Sequence, residues 1–131
     1  MYRKGIVPAA ILLSLYIPAQ AADLGVEISA AQITARSGSR NIRDIGAIHE
    51  RMQAAINCLV GPKGADFENK VRNPCAVSGD GVIPDTPDPA KKARYMEAVA
   101  KLKAVMKIDD RQAAMEAALA AADFIVLVSE Q

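Results

Sequence analysis

The chain has no tryptophan, one histidine and two cysteines among its 131 residues. A zinc site of four cysteines, or of two cysteines and two histidines, needs more ligands than that. The cysteines, Cys58 and Cys75, have sixteen residues between them. This spacing excludes the C-x-x-C of thiol oxidoreductases and the C-x-x-C-H of covalent haem attachment. With His49 as the lone imidazole, a serine nucleophile at Ser39 or Ser78 has little to draw on for a base. Charge of one sign is also missing: 16 basic residues face 15 acidic ones. Nothing suggests a strongly basic nucleic-acid binder. Runs of β-branched residues are scarce outside Ile125-Val126, and alanine is abundant, so helices are favoured.

The amino terminus reads MYRKGIVPAAILLSLYIPAQA. Arg3 and Lys4 precede a mostly apolar stretch from Ile6 to Ile17, and Ala19-Gln20-Ala21 offers small residues at the cleavage positions. This is the build of a secretory signal peptide over residues 1–21. An uncleaved anchor is the alternative, but the stretch is shorter than the roughly 20 apolar residues of a membrane span. Pro8 and Pro18 also interrupt it. No later stretch reads as a membrane span. Cleavage after Ala21 removes Arg3 and Lys4, leaving 14 basic against 15 acidic residues, a net charge of −1. Residues 22–131 then form one helical domain of modest core. The location implied is periplasmic or secreted.

Helical periodicity organises the rest. Ser29 through Gln32 matches a capping box, with Ile28 and Ile33 as a hydrophobic staple, which predicts a short helix starting at Ser29. Ile42, Ile45, Ile48, Met52, Ile56 and Leu59 step by three or four along one stripe until Gly61-Pro62 ends it. Asp88-Pro89 starts a helix whose inner face is Met96, Val99, Leu102 and Met106. A last helix runs from about Asp110 to Val128 through Met115, Leu119, Ala122 and Ile125. The short joint makes these two antiparallel neighbours. Residues 88–107 carry +4 and residues 109–131 carry −4, which favours docking, although solvated faces and helix dipoles explain the same pattern. The expected fold is all-α, a small three- or four-helix bundle. An exposed Phe124–Val128 end would favour a homodimer.

Residues 60–87 read as a long irregular loop, rich in turn residues: Gly61, Pro62, Asn73, Pro74, Gly79, Asp80 and Gly81. A loop this long is often functional or otherwise restrained. In an oxidising compartment Cys58 and Cys75 form a disulfide that ties it, with two free buried thiols as the alternative. Ser78 to Gly81, with Asp85 and Asp88 beyond, offers oxygens to calcium but lacks the EF-hand spacing. Turn formation explains these residues more simply. A transition metal held by His49 and Met52 is conceivable, other methionines nearby being Met96, Met106 and Met115. The competing reading places the methionines in the core and His49 at its rim.

HERMQAAINCLVGPKG followed by NPCAVSGDGVIPDT resembles a pattern of small exported bacterial helical proteins of unknown function. The residues that carry it are His49, Cys58, Gly61, Asn73-Pro74-Cys75, Gly79, Gly81 and Asp85. The resemblance implies export and a disulfide, and it transfers no catalytic residue. Together these features point to binding rather than catalysis. One form is a metal ion or small ligand in or near the bundle. The other is an adaptor presenting the 58–75 disulfide loop to a protein partner.

Overall fold

A computed structural model describes residues 22–40 and 42–131. Residues 1–21, the segment that reads as a signal peptide, lie outside the described residues. Helix is the regular structure of the described residues: α1 (Leu24–Ser37), α2 (Ile45–Val60), the single turn α3 (Val82–Asp85), α4 (Pro89–Val105) and α5 (Arg111–Ser129). The four long helices form the all-α bundle that the periodicity predicts.

Each long helix starts on an aspartate. Asp23, Asp44, Asp88 and Asp110 accept hydrogen bonds from Val26, Gly46, Ala90 and Ala113 main-chain N–H groups at 3.1, 2.8, 2.9 and 2.7 Å. A carboxylate there satisfies an orphan donor and opposes the positive end of the helix dipole. The Ser29 start expected for α1 is therefore corrected. Asp23 caps it six residues earlier, and Ile33 is exposed rather than stapled.

Ile48, Met52, Ile56 and Leu59 of α2 are buried as the stripe requires, and Ile42 and Ile45 pack at its edge. On α4 and α5 the buried face is turned relative to the expected one. Tyr95, Ala98, Val99, Leu102 and Val105 face inward on α4, and Met96 is half-exposed. On α5 the inner residues are Ala114, Ala118, Ala121, Ala122, Ile125 and Val128, while Leu119 faces outward. Alanine explains the turn. It costs no side-chain entropy and lets helix backbones approach closely, so it displaces the bulkier neighbours from the seam.

By length and composition α5 is apolar enough to cross a membrane, which corrects the expectation that no later stretch is. Here it packs between α1 and α4, with Ile125 and Val128 fully buried. The opposite charges of α4 and α5 do not meet as ion pairs among the described residues. Lys103 pairs with Asp66 of the loop at 2.8 Å, and Asp123 pairs with Arg36 of α1 at 2.6 Å. What joins α4 to α5 instead is Phe124. Its ring centre lies 5.1 Å from the Arg94 guanidinium carbon and 4.8 Å from Lys101 Nζ.

The long loop is anchored by Asn57, which is fully buried beside Cys58. Its Oδ1 accepts from Glu68 N at 2.9 Å and from Gln53 Nε2 at 3.0 Å. Its Nδ2 donates to the main-chain oxygens of Glu68, Val71 and Arg72 at 2.9, 3.1 and 3.2 Å. One amide thus gathers the turn that leads to Cys75. Asn57→Ala should cost about 3 kcal/mol, because it removes a fully buried amide that makes five hydrogen bonds at the base of the loop. Urea or thermal melts would show it, and a loss below ~1 kcal/mol would mean water replaces the amide.

Candidate functional site

The loop returns to the end of α2, and three elements meet there. Cys58, near the end of α2, is bonded to Cys75, with Cα atoms 4.9 Å apart. Asn73 Oδ1 accepts from Cys75 N at 3.0 Å, an Asx turn that aims the second cysteine inward. Pro74 lies between them, partly buried. Closing a loop of this size contributes about 3 kcal/mol in the chain-entropy account.

Two glycines make the return possible. Gly61 and Gly81 both have positive φ, 74° and 116°. A β-carbon at Gly61 would overlap the Asp80 carbonyl oxygen, and one at Gly81 would lie 2.7 Å from Gly61 N. Backbone therefore packs on backbone, which only glycine permits at both positions. Pro62, next to Gly61, is exposed.

Glu27 of α1 sits against this junction. Its main-chain oxygen lies 3.3 and 3.4 Å from the two disulfide sulfurs. Its side chain is fully buried, and Oε1 accepts from Gly81 N at 3.0 Å. Oε2 has no hydrogen-bond donor among the described residues. Asp85 of α3 completes the arrangement: its Oδ2 accepts from Asp80 N at 2.8 Å, and its carboxyl is a close like-charged neighbour of Glu27. Gly79 lies between them. A β-carbon there would sit 2.5 Å from Glu27 Oε1 and would overlap Asp85 Oδ2.

Burial pushes the Glu27 carboxyl up to about 7, and the nearby charges of Asp85 and Asp80 act in the same direction. The hydrogen bond from Gly81 opposes them in part. Two carboxyl groups in contact hold one proton between them more readily than none. Chemically the pair stores a proton. A general acid must reach the atom it protonates, and Glu27 is sealed from solvent.

Outside sealed Glu27 the surface opens into a depression of about 680 Å³, lined by Asp23, Val26, Ala76, Val77, Ser78, Gly79 and Asp80. Asp23 N donates to the Ser78 oxygen at 2.9 Å, so the start of α1 is fastened to the loop. Val77 is 95% exposed and Val26 is 50% exposed, which leaves two apolar side chains in water at its edge.

The other sequence candidates lie elsewhere. His49 is half-buried on α2, and its Nε2 lies 2.9 Å from the Ile108 oxygen. A carbonyl can only accept, so Nε2 carries the proton and ties α2 to the α4–α5 joint. Met52 is fully buried, with its ε-methyl against Gly38. Met96 is half-exposed on α4, and Met115 Sδ accepts from Arg111 at 3.5 Å. Among the described residues, no group of three or more His, Cys, Asp or Glu side chains could hold a metal ion. Glu27 was missed because the helix start was placed at Ser29. With Asp23 as the cap, Glu27 falls on the same face as Ala31, Thr34 and Ala35, and an acid on a buried stripe is the signal.

The raised Glu27 has a pH consequence. In the full-length chain, where Ala22 is in peptide linkage, the folded state keeps a proton that the unfolded chain releases near 4.5. Its stabilising contribution is complete below 4.5 and is lost as pH rises through 7. The full effect is on the order of 3 kcal/mol. Glu27→Gln should therefore flatten the stability profile between pH 4.5 and 7.5 and melt higher than the parent at pH 8. Equal pH slopes in calorimetric melts of the two chains would refute this.

No family model, curated protein or solved structure matches the chain.

Proposed function

We propose that the chain is an exported, non-enzymatic helical protein that binds a protein partner through its disulfide-tied loop. Export is supported by the signal-like residues 1–21, by the disulfide, which persists in oxidising compartments, and by the resemblance to exported bacterial helical proteins. The observation that carries the binding reading is Val77. It is 95% exposed, yet it stands on a segment held by the Cys58–Cys75 bond and by the Asp23–Ser78 hydrogen bond. An apolar side chain kept rigid in water binds without a large ordering cost. Asp23 and Asp80 line the same depression. The matching partner surface is an apolar residue flanked by lysine or arginine. The depression is open, which suits a projecting side chain better than an enclosed small molecule.

A transition metal at His49 and Met52 is the second reading. It has less support, because His49 Nε2 is engaged by Ile108 and the Met52 thioether is buried in the core.

Three measurements test the proposal. Intact mass of the exported protein should give a start at Ala22 and no alkylatable thiol; a retained signal or two reactive thiols would defeat the export reading. A photo-crosslinking residue at position 77 should trap one defined protein in the host, whereas the same residue at exposed Leu119 should not. Val77→Asp should abolish binding of that protein without moving the melting temperature. Equal adducts from both positions would remove the loop as the binding face.

A further inference from the structure

The carboxyl cluster at the junction is short of positive charge. Asp80 from the loop and Asp85 from α3 both act on Glu27, and no basic side chain among the described residues contributes there. The remaining neighbours offer no cation. Asp23 on α1 is acidic and occupied as the helix cap. Cys58 of α2 is in the disulfide and does not titrate. Asp88 and Lys91 of α4 line a separate hollow with Leu24 and Ile28. Glu27 Oε2, fully buried, has no donor among the described residues.

Ala22 lies beside this cluster. A β-carbon on Gly79 would sit 2.9 Å from Ala22 Cβ and 2.5 Å from Glu27 Oε1, and would overlap Asp85 Oδ2. One point thus has Ala22, Glu27 and Asp85 around it. Asp23 N, bonded to the Ser78 oxygen at 2.9 Å, holds Ala22 in that place. In the uncleaved chain Ala22 contributes a neutral amide. Cleavage after Ala21 would convert it into an α-ammonium, a full positive charge with three donors.

We propose that Glu27, Asp80 and Asp85 form a site for an ammonium group, and that the group filling it is the chain's own amino terminus at Ala22. The inference rests on the export reading. It adds a consequence that cleavage alone does not imply: processing supplies the counter-charge of a buried acid and its like-charged neighbour. The ammonium favours the ionised form of the carboxyl pair, and the pair in turn holds the ammonium protonated. The processed chain then keeps near neutral pH the stability that the unprocessed chain loses there.

The test uses protein exported by a bacterial host, with its start established by intact mass. Its α-amino group is acetylated selectively in urea, where the unfolded chain gives it the ordinary value of about 8, well below lysine; the protein is refolded, and both forms are melted from pH 5 to 8. At pH 7.5 the acetylated form should melt lower by about 4 °C or more, the shift expected for roughly 1 kcal/mol in a domain of this size. That difference should shrink toward pH 5 and vanish in the Glu27→Gln/Asp85→Asn double variant. The pH dependence of α-amine acylation gives a second readout that needs no variant. It should place the ammonium above the ordinary range of about 8.

A start other than Ala22 would defeat the export reading and this inference together. A start at Ala22 with no acetylation effect, or with equal effects in both backgrounds, would defeat this inference alone. So would an amine that titrates at or below its ordinary value. Calcium that raises the melting of both forms equally would reassign the cluster to a metal ion.

Discussion

The contact on which the rest depends is the seat of Glu27 against the Cys58–Cys75 bond and Gly81. Through this one residue α1 touches α2, the returning loop and the entrance to α3. The bond shortens the path the loop can take, and the Gly61–Gly81 backbone contact fixes where it ends. The loop then needs few side chains of its own in the core. Burying a carboxyl at such a joint is costly unless it is paired or protonated. Asp85, which ends α3, adds a like charge beside it and so favours the protonated form of Glu27.

The remaining stability comes from an unusual core. Large side chains are few, and much of the buried seam between helices is alanine. Alanine contributes little transfer free energy per residue, so such a core gains from close packing over a long seam. Each helix is correspondingly dependent on its ends. The four aspartate caps and the Asn57 amide satisfy backbone groups that a small core could not compensate if they were left bare. Tyr95 is the exception, a single large ring at the centre of α4.

Much of this was legible before any coordinates. The α2 stripe, the Asp88-Pro89 start, the Asp110 start and the tied loop all follow from spacing and turn chemistry, and the structure has them. The faces of α4 and α5 were harder to read. Alanines occur on several sides of both helices, so Met96 and Leu119 drew the stripe toward themselves. The junction was half legible. Gly61, Gly79, Gly81, Asp80 and Asp85 stood out as turn residues, but Glu27 lies over fifty residues from Gly79, Asp80, Gly81 and Asp85. Only the tertiary return of the loop brings them together. Asn57 was likewise invisible, because a polar residue on a buried helical face declares itself only when its partners are known.

Phe124 stands apart from the ion pairs of the surface. It is the sole aromatic ring of α5, and it holds two cations of α4, Arg94 and Lys101, by its face. A ring quadrupole presents a fixed negative face and needs no carboxylate. The ion pairs that tie the loop and α1 each rest on one, Asp66 or Asp123. The α4–α5 hairpin is held by a contact of a different kind, one that replacing every surface acid by its amide would leave in place.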